Sequence, residues 1–421
     1  MLKRYIAYSI LLLFLSGCSA KNEVNNPNKG NIKTYYPITG IEPERSAWVP
    51  NSDYVFYFTR ATLPALYIAL NMFSHTQESF LYSERKATYD TNYLPAHVQM
   101  LALGSSYEDA IQIFKNKVKE LQASHPDATY TFFVDDIRAD LIVSLFFENG
   151  VSEDNVFLRL LSDGTQTYVT FKNSYGAANG ETVWNRDVKA ISNIYQQYKK
   201  IGGSSFIDSW CYSFPVVPFV SQNAVLVLQW PELLGTKSLS LFKNLSVQHN
   251  KNIWKLNPYK LYTALPVAEQ NSLKNMLKLT QTYQQLGGKT IDQAFTDTGR
   301  SNVIITGKNP YGDETDQYVA LVKKYYGPTY AYFFKPHPAY NQSPPDVITL
   351  PGVLPMEAIL WFYSDKISVI GGYASSLYMT TSTNLKKFFF YNDVNEMYAP
   401  LPEMYERGLL GENVIFLSDL R

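Results

Sequence analysis

Cysteine is scarce. The 421 residues hold only two, Cys18 and Cys211, too few for a disulfide framework. Cys18 lies in an N-terminal leader, which leaves one mid-chain thiol, expected as a buried small apolar group. Histidine is also sparse, at five residues, and none stands close in sequence to the acidic pair Asp135-Asp136. Arg138 is a ready ion-pair partner for that pair, so neither a metal site nor a cofactor is expected. Net charge is absent too. Lysine plus arginine and aspartate plus glutamate each count 37, so no global field steers the chain towards nucleic acid or an acidic membrane. Any anionic ligand must be met locally. There is no internal repeat, and the apolar stretch Tyr5 to Leu15 falls short of the roughly 20 residues that span a bilayer.

What is present is a large apolar and aromatic complement. At 46% hydrophobic and 18% charged, the chain can bury a sizeable core. Its 33 tyrosines and 24 phenylalanines suit surfaces where a ring is buried and a hydroxyl stays wet. Residues 1–18 read as a signal: Lys3 and Arg4, the apolar stretch, then Leu15-Ser16-Gly17-Cys18, which resembles a bacterial lipobox. The resemblance implies cleavage before Cys18, lipidation of its thiol and a membrane-anchored lipoprotein of the cell envelope. Residues 19–50, rich in Asn, Lys, Pro and Gly at first, read as a flexible tether.

Beyond the tether, strands alternate with helices. VFYFT (55–59), TYTFFV (129–134) and VFLRLL (156–161) read as strands. Helices are expected from Pro64 to about Ser74, Tyr107 to Leu121 and Arg138 to Phe147. The middle is less regular, with helices at Val183 to Lys200 and Pro266 to Leu286, the second closed by Gly287-Gly288. The pattern then resumes. Strands fall at NVIIT (302–306), YAYFF (330–334), ISVIG (367–371), FFFY (388–391) and VIFL (414–417). Helices fall at Asp313 to Tyr326, at Met356 to Tyr363, from Ser375, and near Val394 to Arg407. Such alternation predicts βαβ units and parallel sheets, in two α/β halves with a cleft between them or in one large doubly wound domain.

Three stretches carry candidate chemistry, each just beyond an apolar strand, where open α/β sheets bind ligands. Ser162-Asp163-Gly164 offers a carboxylate on a sharp turn. Asp163 is either a general base facing the cleft or a turn aspartate bonding its own backbone. Lys335-Pro336-His337-Pro338 places an imidazole between two prolines that fix its direction. Gly371 to Ser376 puts small residues and two hydroxyls at a strand-to-helix junction, suited either to phosphate or to an ordinary serine cap. The lysine of a P-loop is absent.

The order Ser-Asp-Gly, Lys-Pro-His-Pro, Ala-Ser-Ser-Leu-Tyr resembles bacterial sialyltransferases of glycosyltransferase family 80, with related motifs in families 38 and 52. YFTRATLP, VIITG, PMEAIL and ENVIFLSDL extend the likeness thinly over residues 54–421. It implies an α/β, GT-B-like fold of two Rossmann-like domains facing across a cleft. An acceptor-side domain with a helical middle is expected over 51–295, a CMP-sugar-binding domain over 296–395, and a C-terminal segment over 396–421. Carried over, Asp163 is the base and His337 the acid on the leaving CMP phosphate. Ser375 and Ser376 bind that phosphate and Glu357 the ribose, while Gly307, Lys335 and Pro338 surround the nucleotide. Arg60 and Tyr311 are expected on the acceptor, Tyr311 in place of a family tryptophan. Ser162 replaces a family aspartate and Pro336 a glycine. The implied reaction is metal-independent, inverting transfer of sialic acid from CMP-Neu5Ac to a galactose-terminated glycan by a monomeric enzyme. The alternatives are another CMP-activated nonulosonic acid or Kdo as donor, and a non-catalytic, lipid-anchored glycan-binding protein.

Overall fold

The computed structural model describes residues 39–84, 88–102, 105–177, 179–198, 216–234, 252–308, 312, 314–338 and 342–421. Cys18, Cys211 and Tyr311 lie outside them, as do the leader and most of the tether. Two parallel sheets organise the rest. The first contains β1 Tyr54–Thr59, β2 Glu78–Ser83, β3 Val98–Met100, β4 Tyr130–Asp135, β5 Val156–Leu161, β6 Ala224–Leu228 and β7 Ile253–Lys255. The second contains β8 Ser301–Thr306, β9 Tyr330–Lys335, β10 Ile348–Thr349, β11 Ile367–Gly372, β12 Lys386–Phe389 and β13 Val414–Phe416. The strand orders are β3-β2-β1-β4-β5-β6-β7 and β10-β9-β8-β11-β12-β13. Counted within its own domain, the first sheet runs 3-2-1-4-5-6-7 and the second 3-2-1-4-5-6, the doubly wound order with one extra edge strand in the first. The order reverses between β1 and β4 and between β8 and β11, and such reversals are where open α/β sheets bind ligands beyond the carboxyl ends of their strands.

Strands covered on both faces read as unbroken apolar runs, and successive side chains go to opposite sides. In the second sheet Val303, Ile305, Tyr332, Phe334, Val369 and Phe388 pack on one face with Val319 and Val322 of the helix Glu314–Tyr326. Ile304, Phe333, Ile370 and Phe389 point the other way, into a core continuous with the first domain. The helix Tyr107–Ser124 shows the matching helical period, burying Ala110, Phe114, Val118 and Leu121, with Ser106 capping the Asp109 amide.

Several elements differ from expectation. The first helix spans Thr62–Asn71, so Pro64 sits inside its first turn. Between Arg138 and Phe147 only Leu141–Leu145 is α-helical, flanked by 3-10 turns and stopped by Gly150 in the left-handed region. The helix expected from Pro266 to Leu286 ends at Met276, after which Lys278 turns the chain with φ 62°; Gly287 caps a separate 3-10 turn. Pro400 and Pro402 confine the last long helix to Leu401–Glu406. The helix after Ser375 is one turn, Leu377–Thr380. Sequence reading missed β2, β3, β6, β7 and the helix Thr165–Tyr175. Val414–Phe416, in the C-terminal segment, pairs with β12 and completes the second sheet.

Candidate active site

The first domain's wall is built at the ends of three adjacent strands, β1, β4 and β5. β4, in the middle, ends in the acidic pair, and its two carboxyl groups go to opposite neighbours. Asp135 accepts from the Thr59 hydroxyl at 2.7 Å and from the Arg60 and Ala61 amides at 2.8 and 3.1 Å, fixing the loop after β1. Burial pushes its carboxyl up to about 6, against the pull of those donors. Asp136 takes the Thr167 hydroxyl at 2.5 Å, on the helix after β5. The pair therefore acts as a bracket between two loops. Among the described residues, no three His, Cys, Asp or Glu gather as a metal would need.

The turn after β5 is Ser162-Asp163-Gly164. Ser162 Oγ accepts the Gly164 amide at 3.1 Å and lies 2.9 Å from the Thr167 hydroxyl. Gly164 has φ 73° and ψ −130°, and a Cβ there would fall 2.3 Å from Cβ of Ser376. Only glycine fits both demands. This contact presses the Asp163 turn directly against the paired serines of the other domain, far along the chain.

In the second domain, Gly307 follows β8 and its amide bonds to Lys335 O at 3.0 Å. A Cβ at Gly307 would meet the Phe334 ring at 2.7 Å. Lys335 is buried, and its ammonium donates to Pro336 O at 3.0 Å and Gly352 O at 2.9 Å, tying the Pro336 turn to the loop before Met356. His337 is half-buried and Pro338 exposed. Glu357 is buried in the first turn of the helix Met356–Tyr363. Ser375 Oγ accepts the Leu377 amide at 3.3 Å. A one-turn helix has little macrodipole, so an anion here would rely on the serine hydroxyls more than on an axial field.

These residues share one cavity. A space of about 640 Å³ is bordered by Asp163, Gly307, Lys335, His337, Pro338, Glu357, Ser375 and Ser376, within the roughly 300–1,000 Å³ of small-molecule sites. Arg60 does not border it. Its guanidinium makes a two-pronged ion pair with Glu84 (Nη2 to Oε1, 3.1 Å) and stacks 4.3 Å over the Tyr107 ring; Glu84 lines the cavity in its place. Glu84 escaped sequence reading because β2, whose end carries it, was not recognised. Thr62, Leu63 and Thr88 also line this side. Two further bonds cross between the domains: Gln229 Nε2 and Trp230 Nε1 both donate to Met379 O, at 2.5 and 2.9 Å.

No protein-family model and no curated protein matches the chain. Solved structures do. An α/β-galactoside α-2,3-sialyltransferase from Photobacterium phosphoreum aligns with TM-score 0.65 at 18% identity, over 88% of this chain and all of that one (100%). The GT-B domain of a Photobacterium damselae sialyltransferase aligns with TM-score 0.60 at 17% identity, over 86% and 99%. A 2,6-sialyltransferase from Photobacterium sp. JT-ISH-224, solved with CMP and lactose, aligns with TM-score 0.62 at 15% identity, over 86% and 78%. The chain thus has the GT-B fold, and its structural neighbours are bacterial sialyltransferases.

Proposed function

We propose that the chain is a sialyltransferase that moves sialic acid from CMP-sialic acid to a galactose-terminated glycan in one inverting displacement. The observation that carries this reading is the Gly164–Ser376 contact, which brings a carboxylate turn and a hydroxyl pair from two domains onto one cavity with His337. A passive glycan-binding surface needs no such meeting of acid, base and hydroxyls. The neighbour solved with CMP and lactose makes a CMP-sugar and lactose the natural first probes.

In this reading Asp163 removes the proton of the attacking acceptor hydroxyl. The new carbon–oxygen bond forms at the anomeric carbon as the bond to the CMP phosphate breaks on the opposite face. His337 protonates that phosphate as negative charge develops there. The hydroxyls of Ser375 and Ser376 donate to its oxygens, and Glu357 accepts from the ribose hydroxyls. Fixed donors of this kind act where charge appears in the transition state, and each contributes on the order of 10²–10³ in rate. Lys335, with its ammonium bonded to two carbonyls, shapes the wall around the nucleotide. The chemistry proceeds without a metal ion, and lipidated Cys18 holds the enzyme at a membrane.

The test is CMP release and product formation with wild type, Asp163→Ala and His337→Ala, in the presence of a chelator. Each variant is expected to lose about 10²–10⁴-fold in turnover. Undiminished turnover by both would refute the assignment. A donor panel including CMP-Kdo reads the sugar preference, and glycan binding that ignores CMP and His337 would favour a non-catalytic protein.

A further inference from the structure

Asp136 is a fully buried carboxyl group that the proposed reaction leaves unused. It lies one residue past the end of β4, flanked in the sheet by β1 and β5. Three hydrogen bonds link it to the turn that carries Asp163: Asp136 Oδ2 to Thr167 Oγ1 at 2.5 Å, Thr167 Oγ1 to Ser162 Oγ at 2.9 Å, and Gly164 N to Ser162 Oγ at 3.1 Å. Ser162 and Gly164 flank Asp163 on both sides. The chain of bonds therefore fixes the backbone at either end of the proposed base.

We propose that Asp136 is the positioning residue for Asp163, holding its turn through Thr167 and Ser162, and that it does so as a neutral acid. The inference rests on the reading of Asp163 as the base. Two observations support neutrality. The second oxygen, Oδ1, is buried and makes no hydrogen bond of good geometry, the neighbouring Ile137 amide acting on the carboxyl only weakly, and such an oxygen costs an ionised carboxylate far more than the neutral acid. The titratable groups facing Asp136 are Asp135 beside it, Asp163 on the turn after β5, and Tyr168 on the helix Thr165–Tyr175. Burial, and behind it the Asp163 and Asp135 charges, holds the Asp136 carboxyl well above the usual range despite the Thr167 hydroxyl. Neighbouring carboxyl groups do not ionise together cheaply, and of Asp136 and Asp163 the first is the more deeply buried. The hydroxyl chain is fully used: Thr167 donates to Asp136 Oδ2, which leaves Ser162 to donate to Thr167 while accepting the Gly164 amide.

The experiment compares Asp136→Asn, Asp136→Val and Thr167→Val in the full chain. Asparagine mimics the neutral acid, whereas either valine breaks the link. We expect Asp136→Val and Thr167→Val to lose at least about tenfold in kcat with donor KM unchanged, and Asp136→Asn to restore turnover to within about threefold. The acid limb of the kcat/KM profile should stay where it is in Asp136→Asn. Loss in Asp136→Asn equal to that in Asp136→Val, a shifted acid limb, or wild-type kcat in Thr167→Val would each overturn the proposal. Hydrogen exchange of the Gly164 amide provides a readout independent of turnover: faster in both valine variants, unchanged in Asp136→Asn. If wild type turns over no CMP-sugar, the sialyltransferase reading fails, and the exchange pattern still decides whether Asp136 holds the turn.

Discussion

Gly164→Ala isolates the claim that the two domains meet at a catalytic contact. The alanine meets two separate penalties. Holding a residue with a Cβ at φ 73°, ψ −130° costs about 1–3 kcal/mol. The new methyl would also lie 2.3 Å from Ser376 Cβ, whereas carbon atoms in contact need about 3.5 Å. The Asp163 turn and Ser376 must therefore part by about 1 Å, a misplacement worth on the order of 10² in rate. The variant should stay folded, lose less than about 10 °C in Tm, and fall roughly a hundredfold in kcat/KM for CMP release with acceptor present. Gly287→Ala supplies the control. Gly287 has a comparable φ of 67°, but nothing lies within 4 Å of a Cβ built there. It should show a smaller thermal loss, from backbone strain alone, with turnover intact. Wild-type kcat/KM in Gly164→Ala, or an equal loss in Gly287→Ala, would refute the reasoning.

Two further outcomes are expected. Burial, then the His97 charge, lowers the His75 pKa from 6.5 to about 4. The unfolded chain therefore takes up a proton that the folded one resists, so stability present above pH 6.5 is lost as pH falls towards about 4, by roughly 3 kcal/mol at most. Calorimetry of His75→Gln should show a shallower acid decline in Tm than wild type; an unchanged slope would count against it. Cys18→Ser should release the expressed chain from the membrane fraction and abolish incorporation of labelled fatty acid, and retained label would remove the anchor from the account.

The strands nearest the site were legible almost to the residue. NVIIT, YAYFF and ISVIG became Ser301–Thr306, Tyr330–Lys335 and Ile367–Gly372, because strands buried on both faces write their pattern as continuous apolar runs. β2, ESFLYS, mixes polar and apolar residues at a sheet position that only its neighbours justify, and with it Glu84 was missed. The helix Thr165–Tyr175 is rich in threonine and aromatics, weak helix formers. It forms because Tyr168, Phe171 and Tyr175 are buried along one side, and tertiary packing outweighs propensity. The motif residues were legible as chemistry, and the structure brings Asp163, His337, Glu357 and the serines to one cavity. Their means of assembly was not. The Gly164–Ser376 contact and the Asp136–Thr167–Ser162 chain join residues that no spacing relates. The two carboxyl groups of the acidic pair are engaged by different elements, which their adjacency in sequence does not reveal.

The central claim is sialyl transfer across this cavity, and one measurement meets it directly. Residues 19–421 are incubated with CMP-Neu5Ac and lactose, and CMP and sialyllactose are quantified together. The account predicts that both products form with wild type, with inverted anomeric configuration in the sialoside, and that neither accumulates with His337→Ala. Absence of sialyllactose from a folded, lactose-binding wild type, or its undiminished formation by His337→Ala, would contradict it.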